Sequence, residues 1–182
     1  MILDRKETDP IHFTQQVEGI ALRQKPYGSD AASFRAVLYQ VMENMDKWSD
    51  DDIVCFLEDD YLVSSDWIAL VREGLTLGDY VTLYDHPDKY SELYRNIPCM
   101  LFKLGRHWRT TPSTTNSYAM KLKTLKRDIA THFKYCEGDG ITHDHEKFLE
   151  LWAGGSKLLS CIPSAWSHEE QGMAMPIQQM DS

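Results

Sequence analysis

The sequence contains no long apolar run, and this absence bears on where the protein acts. No stretch approaches the roughly 18 consecutive apolar residues of a membrane-spanning helix, so we expect no membrane span. The first six residues lack the long apolar stretch of a secretory signal, which favours a cytoplasmic protein. The four cysteines include no C-x-x-C pair, so reduced thiols are expected rather than disulfides or a zinc site.

Positive charge is also scarce. The 182 residues carry 28 acidic and 19 basic side chains, a formal net charge of −9, and no lysine or arginine patch stands out. We therefore expect no nucleic-acid partner, because binding to phosphates needs clustered cations. The length predicts a single domain over residues 1–182, with weakly patterned ends at 1–26 and 170–182.

The most informative feature that is present is the acidic cluster Glu58-Asp59-Asp60. It directly follows the apolar run at 53–57, which predicts a buried strand. Three carboxylates at a strand end repel one another and are costly to desolvate. A divalent cation such as Mg²⁺ compensates them, and strand ends of α/β sheets are common ligand sites. The alternative is a solvated acidic turn.

Helical and strand patterns alternate along the chain. This order predicts an α/β fold with a mainly parallel sheet flanked by helices. The predicted helices cover residues 31–48, 67–74, 122–135 and 145–152. The predicted strands cover residues 53–57, 79–84, 99–104, 117–122 and 157–162, and residues 108–116 and 163–168 are expected to be loops.

Four stretches, taken in order, resemble nucleotide-sugar glycosyltransferases of the GT-A fold, closest to the family 2 type. Residues 27–34 resemble the polar turn and small-residue helix before the metal strand, and residues 56–61 resemble the strand that ends in a D-x-D-type motif. In the second acidic motif, Asp144 falls on the general base and His143 replaces the usual glutamate. A fourth stretch ends in His168, where some of these enzymes place a metal-binding histidine.

The resemblance implies a metal-dependent, inverting glycosyltransferase. Such an enzyme moves a sugar from a nucleotide-diphosphate donor to a hydroxyl of a glycan or other acceptor. Asp60 and His168 would bind Mn²⁺ or Mg²⁺, which neutralises the leaving diphosphate. Asp144 would accept the proton of the acceptor hydroxyl, or alternatively would only cap the following helix.

Further residues are expected to contact the substrates. The residues assigned to the nucleotide-sugar donor are Glu58, Asp59, Ser29 and Asp30, although helix capping also accounts for Ser29 and Asp30. His107, Trp108 and Arg109 would line the site, since an indole face suits a sugar and a guanidinium suits a phosphate. A half-buried aromatic flanked by solvated bases is the alternative.

The N-terminus departs from the GT-A pattern. These enzymes begin with a strand–helix–strand unit that holds the nucleotide base, but only about 26 residues precede the turn at Gly28. We expect at most one strand of that unit, near residues 1–3, so that the unit is incomplete. Two other functions fit the same residues. They are a metal-dependent phosphoryl or nucleotidyl transferase and a non-catalytic glycan- or nucleotide-binding remnant.

Overall fold

The structure, a computed structural model, describes residues 2–4, 23–58, 60–94 and 97–168. The strands in these ranges are β1 Ile2–Asp4, β2 Arg23–Lys25, β3 Ile53–Phe56, β4 Tyr61–Val63, β5 Tyr80–Thr82, β6 Leu101–Lys103, β7 His107–Thr110, β8 Tyr118–Lys121, β9 Leu158–Ile162 and β10 Trp166–His168. The helices are α1 Asp30–Met42, α2 Trp67–Gly74, α3 Leu122–Lys134 and α4 Asp144–Ala153. The α/β class is therefore confirmed.

The main sheet has six strands in the order β3-β8-β5-β9-β7-β6. Of its neighbouring pairs only β5–β9 is parallel, so the expectation of a mainly parallel sheet is wrong. Two features cause this. Strand β8 lies between β3 and β5 and runs opposite to both, and the three residues between β6 and β7 are too few for anything but an antiparallel connection.

Three strands of this mixed sheet nevertheless share one direction. Strands β3 and β5 are both antiparallel to β8, and β9 is parallel to β5. The C-terminal ends of β3, β5 and β9 therefore lie at one end of the sheet. The residues that follow these strands, including the acidic cluster and the segment leading to His168, start from that common end.

Two small sheets complete the strand pairing. Strands β4 and β10 are antiparallel, with His168 opposite Tyr61. Strands β1 and β2 are parallel, with Ile2 opposite Arg23, so the described residues before Gly28 contain two strands rather than one.

The helices begin and end near the predicted positions, with one exception. The Ser29 hydroxyl caps α1 by accepting the Ala32 N–H at 3.2 Å, and the preceding Gly28 takes the left-handed φ of +83° that the turn requires. Helix α1 ends at Met42 instead of residue 48. The Asn44 side chain donates to the Gln40 carbonyl at 2.8 Å, and a separate 3₁₀ turn, Met45–Lys47, follows.

The core lies on both faces of the main sheet. Successive residues of a strand point to opposite faces, so Tyr80 packs in one cluster and Val81 in the other. The first cluster lies against α1, α3 and α4, and the second against α2 and the β4–β10 pair. All four cysteines carry unpaired thiols, and no helix of the described segments is both long and apolar enough for a bilayer crossing.

Candidate metal centre and adjoining cleft

Glu58, Asp60 and His168 converge at the common strand end. One ligand atom from each lies within 4.8 Å of the others. Glu58 and Asp60 follow β3, whereas His168 ends β10, whose pairing with β4 sets the histidine beside Asp60. The His168 Nε2 lies 2.9 Å from Asp60 Oδ2. The structure thus brings together the two residues that the sequence suggested as metal ligands.

The surroundings of His168 fix its ring, and its partner Asp60 remains accessible to solvent. The imidazole is buried and stacks on the Tyr61 ring at a centroid distance of 4.7 Å, with the Tyr84 ring edge-on at 6.0 Å. The Asp60 side chain is 47% exposed. A fixed imidazole therefore faces a carboxylate that solvent, an ion or a ligand can reach.

Glu58 lies in a strongly acidic environment. Burial, followed by the charges of Asp60, Asp144 and Asp30, raises the pKa of Glu58 to about 7. Its backbone N–H donates to the Ser117 hydroxyl at 3.1 Å, which holds the turn after β3 against the residue before β8. The charges that act on Glu58 are negative, so a cation placed there would compensate them. Asp59 lies outside the described residues.

The three side chains suit a hard divalent ion. Carboxylate oxygens and a neutral imidazole are ligands for Mg²⁺ or Mn²⁺. Adjacent ligands of an octahedral ion at about 2.1 Å lie about 3.0 Å apart, and opposite ones about 4.2 Å apart. The 2.9 Å between His168 and Asp60 matches the adjacent spacing, and the 4.8 Å limit for the set is only slightly wider than the opposite spacing. The donor set therefore fits such an ion.

Asp144 lies at the first turn of α4 beside an open cleft. The cleft has a volume of about 350 Å³ and is lined by residues of the 86–89, 113–115 and 141–146 segments. Asp144 Oδ1 accepts from Lys147 Nζ at 2.6 Å. Burial raises the pKa of Asp144, and the Lys147 ammonium opposes that rise. The residue is thus an ion-paired carboxylate at a cleft, and the residue at the capping position is His143.

Asp30 connects the start of α1 to the segment before α4. Its Oδ2 accepts from both the backbone N–H and the hydroxyl of Thr142 at 2.8 Å, and its Oδ1 accepts from Asn116 Nδ2 at 3.1 Å. Ser29 caps the same helix end. These contacts explain both residues structurally, and donor binding by Ser29 and Asp30 stays a prediction.

The three residues expected to line the site separate from one another. Trp108 is 0% exposed and donates from Nε1 to Glu73 Oε1 at 2.7 Å, so its indole has no free face for a sugar, which corrects that interpretation. Arg109 forms a buried ion pair with Asp85 at 2.6 Å. His107 alone is exposed. Because β7 alternates its side chains between the two sheet faces, neighbours in sequence cannot all face one site.

Sequence analysis missed Lys147, the direct partner of Asp144. The available signal was its position, three residues after Asp144 and next to the buried Phe148 of the same helix. Asp85, at the end of a predicted strand where it could reach a sugar or cap a turn, follows β5 and receives hydrogen bonds from Ser160 at 3.2 Å and from the Tyr90 hydroxyl.

No model of a known protein family matches this chain, and no curated protein matches it either.

Proposed function

We propose that this protein is a metal-dependent glycosyltransferase of the GT-A type. It would transfer a sugar from a nucleotide-diphosphate donor to a hydroxyl acceptor with inversion, and Asp144 would be the general base. The observation that carries the proposal is the convergence of Glu58, Asp60 and His168 within 4.8 Å. His168 lies 108 residues after Asp60 in the chain, and the three residues meet where a ligand of an α/β sheet is expected.

The position of the site in the sheet supports the proposal. Strands β3, β5 and β9 end on the same side although the sheet as a whole is mixed. Strands β1 and β2 add a parallel pair ahead of the turn at Gly28, where the GT-A pattern has strands that hold the nucleotide base. Both features are compatible with a donor that lies along this end of the sheet.

The charges of the site suit transfer from a diphosphate donor. A bound Mn²⁺ or Mg²⁺ would supply neutralisation of the charge that develops on the leaving diphosphate. Asp60 and His168 would hold the ion, with Glu58 as the third donor. Asp144 faces the adjoining cleft and would accept the proton of an acceptor hydroxyl bound there. The cleft would then be the acceptor site.

Nucleotide binding tests the proposal directly. We would titrate UDP, GDP and their sugars into the protein by calorimetry, with and without Mn²⁺. We expect binding that requires the metal and that is lost in Asp60→Asn and His168→Ala. Asp51→Asn is the matched control, because this exposed aspartate pairs with the surface lysines Lys121 and Lys123. Failure of every nucleotide to bind in the presence of Mn²⁺ would refute the transferase proposal.

A metal-dependent phosphoryl or nucleotidyl transferase is the second candidate. The burial of Trp108 favours it, because it removes the residue expected to contact a sugar. Incubating the protein and Mn²⁺ with nucleotide sugars, and separately with phosphodiesters, distinguishes the two activities. Sugar transfer that Asp144→Asn abolishes while donor binding persists supports the first. Phosphodiester cleavage without sugar transfer supports the second.

A further inference from the structure

A continuous hydrogen-bonded chain of side chains leads from helix α3 through the core to Asp144. Its members, in order, are Asp128, Tyr80, His132, Tyr118, Lys147 and Asp144. The successive donor–acceptor distances are 2.7, 3.1, 3.1, 3.2 and 2.6 Å, each within hydrogen-bond range. The chain crosses the face of the main sheet that packs against α1, α3 and α4, since Tyr80 and Tyr118 belong to that core cluster.

The partners determine the direction of donation along this chain. The Tyr80 hydroxyl donates to Asp128 Oδ2, so its oxygen must accept from His132 Nε2–H. The other ring nitrogen, Nδ1, then accepts a hydrogen bond from the Tyr118 hydroxyl. Tyr118 oxygen in turn accepts from the Lys147 ammonium. Every hydrogen bond from Lys147 to Asp128 thus points the same way, and His132 is a neutral imidazole.

The Lys147 ammonium is buried among groups that attract a cation. The side chain is 1% exposed, and Nζ lies 4.8 to 5.3 Å from the ring centroids of Phe34, Tyr118 and Phe148. Aromatic faces attract a cation, and the ammonium also donates to a hydroxyl and a carboxylate. Lys147 is therefore a buried cation with Asp144 as its counter-ion.

Three other carboxylates influence the ionisation of Asp144, and the cleft that it lines also contains Lys89, Asp88, His86, His143 and His145. Asp30 at the start of α1 and Glu146 on α4 act on it, and Glu58 after β3 is coupled to it. Each of these carboxylates favours the protonated form of Asp144, as burial does. Lys147 is the cation that opposes them.

We propose that Lys147 is a positioning residue that keeps Asp144 ionised and holds its Oδ1, with the tyrosine–histidine chain behind it fixing the ammonium. Among the contacts of the described residues, Oδ1 is the oxygen of Asp144 that is engaged, so Oδ2 is left for the cleft. The consequence for proton transfer rests on the proposed function, whereas the ionisation of Asp144 does not.

Carboxyl carbon-13 NMR of aspartate-labelled protein tests the ionisation. The Asp144 resonance is assigned with Asp144→Asn and followed from pH 3 to 8. We expect Asp144 to titrate at distinctly higher pH in Lys147→Met than in the wild type. Lys134→Met is the control, because Lys134 is an exposed lysine on α3 that pairs with Glu150, and it should leave Asp144 unchanged. An unchanged Asp144 titration in folded Lys147→Met overturns the proposal.

A measurement on the wild type keeps the proposal testable if Lys147→Met does not fold. Nitrogen-15 spectra of the histidine rings should show His132 as the neutral Nε2–H tautomer at pH 5. Tyr118→Phe, which removes one hydroxyl, should shift the Nδ1 resonance, because that nitrogen loses its donor. A charged His132 at pH 5, or the Nδ1–H tautomer, contradicts the chain that is argued to fix Lys147.

A sugar-transfer assay distinguishes the role of Lys147 from the proposed function of the protein. In a transfer assay, Lys147→Met should lower kcat, leave donor binding unchanged and move the acid limb of the pH profile to higher pH. A wild type that transfers no sugar refutes the proposed function alone, and the NMR results then decide the role of Lys147. Unaltered kcat and pH profile in a transferring Lys147→Met variant would overturn the positioning role.

Discussion

Acidification should destabilise this protein through one buried histidine. His132 is fully buried, and burial together with the nearby Lys147 charge lowers its pKa from 6.5 to about 3. Between these two values the unfolded chain binds a proton that the folded protein excludes. The contribution of neutral His132 to the free energy of unfolding is therefore complete above pH 6.5. It is lost as the pH falls towards 3.

The size of the effect follows from the pKa difference. While the folded imidazole stays neutral, each pH unit below 6.5 shifts the unfolding equilibrium by up to tenfold, or about 1.4 kcal/mol. From pH 6.5, where half of the unfolded imidazoles are already protonated, to pH 4.5, the free energy of unfolding should fall by about 2 kcal/mol through His132 alone. This is a large part of the typical stability of about 5–15 kcal/mol for a single domain.

Urea unfolding followed by tryptophan fluorescence at several pH values provides the assay. His132→Phe preserves an aromatic ring in the core but removes the titrating group. The variant should be less stable at pH 7, because Tyr80 and Tyr118 lose hydrogen-bond partners, yet its stability should decline less steeply with acid. Val81→Ala, a core change with no titrating group, should keep the wild-type pH dependence. Equal slopes for His132→Phe and the wild type would refute the reasoning.

Three shorter predictions concern the ion pair, the core and the metal. Arg109→Met leaves Asp85 buried without its cation and should lower the free energy of unfolding by about 3–5 kcal/mol, and adding Asp85→Asn should restore part of it in urea titrations. Gly74→Ala should lower Tm, because a Cβ there would lie 2.8 Å from the Trp108 ring. Calorimetric Mn²⁺ affinity should weaken about tenfold per pH unit below 7, as protons compete for Glu58, and Glu58→Gln should flatten this dependence.

Local sequence patterns predict the helices of this fold, but they do not predict how the strands of its sheet are arranged. The helix at 67–74 agrees with α2, and the 122–135 pattern with α3, because apolar residues recur at helical spacing in both. Strands β7 and β10 were expected to be loops. They are three or four residues long and mix tryptophan with histidine, serine, arginine or threonine, so no apolar run indicates a strand. The direction of a strand depends on the strand with which it pairs, and amino-acid composition carries little information about this pairing.

The candidate site likewise contains residues that the sequence predicts and residues whose positions depend on tertiary packing. Asp60 and His168 could be paired from the sequence because the resemblance to GT-A enzymes implies a metal ligand at both positions. The side on which Trp108 points depends on the register of β7 against β9, where it lies opposite the buried Cys161. Lys147 was overlooked because a lysine on a helix is normally solvated, and only tertiary packing shows that this one is buried.

The environment of Glu58 differs from those of Asp60 and Asp144, and the difference identifies where a cation should act. Asp60 lies within hydrogen-bond distance of His168 and Asp144 is paired with Lys147, whereas Glu58 receives a hydrogen bond from the Asn116 side chain and the charges acting on it are those of other carboxylates. Since its pKa is raised from 4.5 to about 7, ionised Glu58 destabilises the fold as the pH rises through that interval. At pH 8 without metal, Glu58→Gln should therefore raise Tm. Adding Mn²⁺ should raise Tm of the wild type and have a much smaller effect on the variant. A Glu58→Gln variant that is less stable than the wild type without metal would show that Glu58 serves the fold rather than a cation.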